Sequence, residues 1–214
     1  MENLAGRTIT LVLGVAAIAL GLAALLGPWW TFQENTLSPL GSYSGTVDWG
    51  LFSYRFSPPP LDAYGTNNYT SLPNMAAVMS VAGSLSVVSL IAGGALLVTA
   101  LVSGWRRRFP LLGLGLGLLG GVAELGAPLY MMIGLPPAAS QDMATILNFI
   151  SITGFWGSGT GGMLDFRVSL SWAAGWAWYA GFVVAFLLFI AGLASSIGSV
   201  TAGRTPKPPH LARP

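Results

Sequence analysis

Four long apolar stretches that share a single charged residue limit this chain more than any other feature. They run over residues 8–27, 75–102, 111–133 and 169–197, and the one charge inside them is Glu124. Each offers the roughly 20 residues a helix needs to cross a hydrocarbon layer about 30 Å thick. The remaining sequence does not dilute this pattern. Only 7% of the residues are charged, against roughly a quarter in soluble domains, and 53% are hydrophobic. A surface so poor in charge suits lipid rather than water. The sequence therefore predicts an all-α transmembrane four-helix bundle, with the lipid bilayer as its first partner.

Loop charge then orients the chain. Arg7, Arg106, Arg107, Arg108, Arg204, Lys207 and Arg213 fall in segments 1–7, 103–110 and 198–214. Loops 28–74 and 134–168 hold Arg55 and Arg167 with Glu34, Asp48, Asp62, Asp142 and Asp165. Basic residues collect on the cytoplasmic side of membrane proteins. Both termini and the short loop are thus expected in the cytoplasm, and the two long loops outside a plasma or cytoplasmic membrane. Arg7 also gives the first stretch the flank of a secretory leader; it is expected to be kept as the first span. Trp172, Trp176, Trp178 and Tyr179 read as an aromatic belt at one membrane face.

The first long loop carries strand signals at both ends. Residues 29–33 and 46–56 are rich in aromatic and β-branched side chains, and Gly41-Ser42-Tyr43-Ser44-Gly45 between them reads as a turn. Pro58-Pro59-Pro60 ends the second run, since proline donates nothing to a ladder. A small antiparallel β-sheet built by this loop and standing on the bundle is expected. In the second loop, residues 143–152 suit a short strand or helix, and the glycine-rich stretch 154–162 suits turns.

Trp30, followed by Trp49-Gly50-Leu51-Phe52, resembles the W…GLW signature in the first extracellular loop of the claudin-like tetraspan superfamily. Leu72-Pro73 before the second span, Pro128 late in the third, and Ser169 to Trp176 opening the fourth are similar to segments of the same proteins. The likeness in topology and loop size covers almost the whole chain. The paired cysteines that follow the signature in the family are absent, and Phe52 stands in place of the last tryptophan. The resemblance is thus to a distant, cysteine-free member. It implies a claudin-like fold, with Trp30, Trp49, Gly50, Leu51 and Phe52 as a structural or interaction motif where sheet meets bundle.

Other conspicuous residues point to packing. Gly113, Gly117 and Gly121 recur every fourth residue, the spacing of a close helix–helix contact. Glu124 lies about 20 Å along the third helix from Leu111, at 1.5 Å per residue. A carboxylate at such depth is costly and is either hydrogen-bonded or functional. With no second acid or base in any span, a hydrogen-bonded packing role is the expectation, shared with nearby Pro128. Asn68-Tyr69-Thr70 forms a glycosylation sequon at Asn68, on the side assigned as external.

Chemistry is harder to place. No acid pair, nucleophile or dinucleotide fingerprint has a motif around it, so an enzyme is not expected. Without cysteine, and with His210 as the one histidine, metal and cofactor sites are not expected either. Three arginines in a short loop are too few for nucleic acid. Two readings follow. The first is a non-catalytic membrane protein working through protein–protein contacts: a scaffold, an adhesion or barrier element, or an accessory subunit. Its partners would be other membrane subunits or copies of itself. The second is a small transporter or channel subunit that uses Glu124.

Overall fold

The computed structural model describes residues 4–39, 41–57, 66–102, 109–144, 150–163 and 166–202. Four helices are long and apolar enough to cross a membrane: α1 (Leu4–Leu26), α2 (Pro73–Val102), α3 (Phe109–Asp142) and α4 (Trp176–Ala202). α1 packs against α2 and α4, and α3 against the same two, which closes a four-membered ring. Arg7 ties one end of this ring by donating to the Leu101 carbonyl at 2.9 Å, near the end of α2. Thr10 on α1 donates to Ala191 O on α4 at 3.1 Å. The triple-arginine loop, Pro58 to Pro60 and the tail with His210 lie outside the described residues.

At the opposite end of the ring stands an antiparallel sheet: β1 (Trp30–Ser38), β2 (Gly41–Trp49), β3 (Tyr54–Ser57), β4 (Thr66–Asn67), β5 (Gly157–Met163) and β6 (Phe166–Ala174). The order is β4-β3-β2-β1-β6-β5. The expected sheet was the work of the first loop alone. In fact β1 pairs along its length with β6, from Trp30 opposite Ala174 to Leu37 opposite Arg167, so both loops build one sheet.

Three local expectations give way for identifiable reasons. Residues 169–174 were assigned to the fourth span but are strand, and α4 starts only at Trp176. Here Val168, Leu170 and Trp172 are buried and alternate with Arg167, Ser169 and Ala173, the period of a half-buried strand. Trp172 therefore belongs to the sheet core and not to an aromatic belt. The glycine-rich stretch 154–162 suggests turns, yet β5 runs through most of it. Absent side chains are what the packing requires: a Cβ on Gly157 would lie 2.7 Å from the Trp172 ring, and one on Gly159 2.7 Å from Ile150. Gly41 to Gly45, also read as a turn, form the first half of β2. The hairpin reverses just before Gly41, whose φ of +137° suits glycine.

The third helix also outruns its expected end at Ile133 and continues to Asp142 through Pro136 and Pro137. Each proline removes one backbone donor. Burial outweighs that loss, because Leu135, Ala138 and Ala139 sit in the core that joins sheet and helices.

Candidate functional site at the sheet–bundle junction

Trp30 and Trp49 face each other across β1 and β2, in direct register. Both are almost fully buried and point to the bundle side of the sheet, with Phe32, Val47, Leu170 and Trp172. Phe32 lies between the two tryptophans, with centroids 4.5 Å from Trp30 and 5.7 Å from Trp49. Trp30 stacks on Phe155 at 5.8 Å and donates its indole N–H to the Phe155 carbonyl at 2.8 Å. Trp49 continues the cluster to Tyr54 at 4.7 Å and Tyr69 at 6.0 Å. Its own Nε1 is buried without an acceptor among the described residues. Edge and offset contacts of this kind add to the burial of large rings. Burial, together with nearby Tyr54, holds the Tyr69 phenol well above its ordinary pKa, so it stays a neutral donor.

The backbone around the motif fastens strand to helix. Trp29 N–H donates to Trp49 O at 2.7 Å, Gly175 N–H to Trp29 O at 3.0 Å, and Ala177 N–H to Pro28 O at 3.0 Å. These bonds tie the end of α1, the sheet and the start of α4 at one point. Gly175 is required there, since a Cβ would come 2.2 Å from Pro28 O. Gly50 donates to Ser53 O at 2.8 Å and accepts the Tyr69 hydroxyl, which folds the turn after β2. Leu51 is buried in the common core. Phe52 is 56% exposed and lies over Gly83 of α2, so this motif residue leaves the cluster that its neighbours build.

Residues without a sequence signal complete the junction. Asp142, at the end of α3, accepts Asn74 Nδ2 at 2.6 Å, Asn74 N–H at 3.2 Å and Met75 N–H at 2.7 Å. It therefore caps the first turn of α2 from another helix. The need for it was legible: Pro73 opens α2 and Leu72 before it has no capping oxygen. Which residue would supply the cap was not. Trp178 donates to Pro128 O at 3.0 Å and links α4 to α3. Asn68 is exposed ahead of the short 3₁₀ turn Tyr69–Ser71.

The bundle holds the other predicted residues. The glycine stripe of α3 faces α4 within the chain. A Cβ at Gly117 would lie 2.5 Å from Gly192 Cα, one at Gly113 2.5 Å from Ser195 Oγ, and one at Gly121 2.6 Å from the Phe189 ring. Glu124, one turn beyond Gly120, is 1% exposed. Ser86 of α2 donates to its Oε1 at a long 3.5 Å. Ser89 lies beside the same carboxyl, and its buried hydroxyl completes no hydrogen bond. Gly181 of α4 leaves room on the other side. Pro128 has no N–H, so the Glu124 carbonyl lacks its usual helical donor four residues on.

This arrangement braces sheet against bundle. Among the described residues no three His, Asp or Glu side chains converge. On the sheet's opposite face Asp48 and Arg55 stand opposite each other in the register of β2 and β3. The sequence matches no protein-family model and no curated protein.

Proposed function

We propose that the chain is an integral membrane protein of claudin-like tetraspan architecture, a distant member that acts through protein–protein contacts. In this reading both termini are cytoplasmic, as loop charge predicts. The sheet then stands outside, as part of a scaffold, an adhesion or barrier element, or an accessory subunit. It has no catalytic role. The observation that carries the reading is the edge strand β5, Gly157–Met163, which among the described residues pairs only with β6. Its described length has no charge and no proline, the usual devices that blunt an edge. An open edge of this kind pairs with a strand from another chain.

The absence of cysteine makes the test clean. Single cysteines at Ser158 and Thr160 should cross-link to a partner or a second copy in native membranes. Ser158→Lys should abolish that cross-link without lowering thermal stability. Cross-linking that ignores the lysine, or no adduct at either position, removes the reading. A transporter or channel subunit is the second reading, favoured by the unpartnered Ser89 hydroxyl beside Glu124. It requires proton or ion flux in liposomes that Glu124→Gln abolishes while the fold survives.

A further inference from the structure

The face of the sheet turned away from the bundle has an unusual chemistry. Ladder register sets its residues in rows. One row reads Ser44, Asn35, Ser169, Thr160 across β2, β1, β6 and β5. The next reads Ser57, Thr46, Gln33, Ser171, Ser158 from β3 to β5. These nine side chains are all hydroxyls or amides, with no charge and no large apolar group. A protein interface takes its energy from buried aromatic, aliphatic or arginine anchors, which these rows lack. Nucleic acid and anionic lipid need clustered cations. Among the described residues of this face the cations are Arg55, placed opposite Asp48 in register, and Arg167.

The distal end of the first row opens into a cavity of about 440 Å³, lined by Asn35, Leu37, Thr160, Arg167 and Ser169 with Gly161 and Gly162. The volume falls in the range of small-ligand sites. Asn35, Thr160, Arg167 and Ser169 make no side-chain hydrogen bond or ion pair with one another or with the rest of the described residues. Leu37, 58% exposed, supplies an apolar wall, and the two glycines let a ring approach the backbone of β5.

We propose that this cavity binds a saccharide bearing a carboxylate. An amide beside two hydroxyls offers both donors and acceptors to neighbouring sugar hydroxyls. Leu37 meets the sugar's C–H face. The Arg167 guanidinium pairs with the carboxylate by two parallel hydrogen bonds. The row of Ser171, Gln33 and Ser158 behind it extends the same chemistry to a second sugar unit. The site goes beyond partner contacts through the β5 edge, because a ligand here lies over the face and leaves the edge's in-plane backbone groups free.

The test uses the full-length protein in a detergent without a sugar headgroup, titrated with a glucuronate-containing disaccharide, its neutral glucose counterpart and glucose 6-phosphate. Calorimetry or ligand-observed NMR reads binding. The acidic disaccharide should bind about tenfold more tightly than the neutral one, the gain of a charge-assisted pair. Arg167→Gln should erase that preference and keep the neutral affinity. Asn35→Ala should weaken both disaccharides roughly three- to tenfold, as for one lost hydrogen-bonding group. Both residues are exposed, so unchanged thermal unfolding shows that the fold survives. No saturable binding of either disaccharide up to about 50 mM, beyond the weakest useful affinity, would overturn the proposal. So would binding indifferent to both substitutions, or binding of the phosphate sugar alone.

Discussion

The two ends of this molecule are held together by opposite kinds of side chain. At the sheet end, Trp30, Trp49, Trp172 and Trp178 are buried among rings. Along the bundle, α3 meets α4 through Gly113, Gly117 and Gly121, where a single added carbon would collide. The physical setting accounts for the contrast. Where a sheet folds against helices beside water, burying large rings is favourable at about 25 cal/mol per Å². Between helices long and apolar enough to cross a membrane, lipid would remove that drive, and close backbone approach takes its place. One chain thus uses the largest and the smallest residues for the same purpose.

Substitutions sharpen the comparison, and the largest effect belongs to the aromatic end. Trp30→Ala or Trp49→Ala should each lower stability by about 4 kcal/mol, since each empties a buried ring site. The double variant should lose less than the sum, because both rings pack on Phe32. Unfolding in detergent followed by tryptophan fluorescence or calorimetry measures this. Additive losses would dissolve the idea of one cluster.

The bundle should answer to the reverse change. Gly117→Val should cost about 3 kcal/mol, as overpacking does, because its neighbour is the Gly192 backbone and cannot turn aside. Gly113→Val should cost less, since the Ser195 side chain in its path can rotate. Equal effects at the two sites would contradict backbone contact as the determinant.

Glu124 and Asp142 bring polar bonds into each setting. Glu124→Gln keeps an acceptor for Ser86, while Glu124→Leu leaves Ser86 without it between the helices. The leucine variant should be about 2 kcal/mol less stable than the glutamine variant. Asp142→Ala uncaps α2 and should cost about 1 kcal/mol, with faster amide exchange at Asn74 and Met75 as its signature. Unchanged exchange there would show that the cap is idle.

The smallest effect is pH-dependent. Burial raises the Asp48 carboxyl above its ordinary value, and Arg55 offsets only part of that. The fold thus favours the neutral acid. The stability this confers is complete below the ordinary carboxylate pKa and is lost as pH rises through the higher folded value. Asp48→Asn should therefore gain under about 0.5 kcal/mol at neutral pH, a small figure because the group is largely solvated. The gap should close below about pH 4. A gap that widens in acid would mean that the pair with Arg55 dominates.

Sequence alone set the number of long apolar helices, because a run of some 20 apolar residues has few other fates. It also pointed the glycine stripe to helix packing, since four-residue spacing is a local fact. Glu124 stood out for the same reason, whereas the junction position of the tryptophan motif was only what the family resemblance implied. Only the tertiary structure decided that the second loop joins the sheet. The alternation from Phe166 to Ala173 was present, but an apolar run leading into a helix reads equally as its first turns. Glycine-rich β5 carried no strand signal at all, for it is held by β6 and by Trp172 and Ile150 lying over its bare backbone. Asp142 as the cap of α2 was equally hidden. A helix end states which bonds it lacks, but an acceptor 67 residues away is chosen only when the chain brings it there.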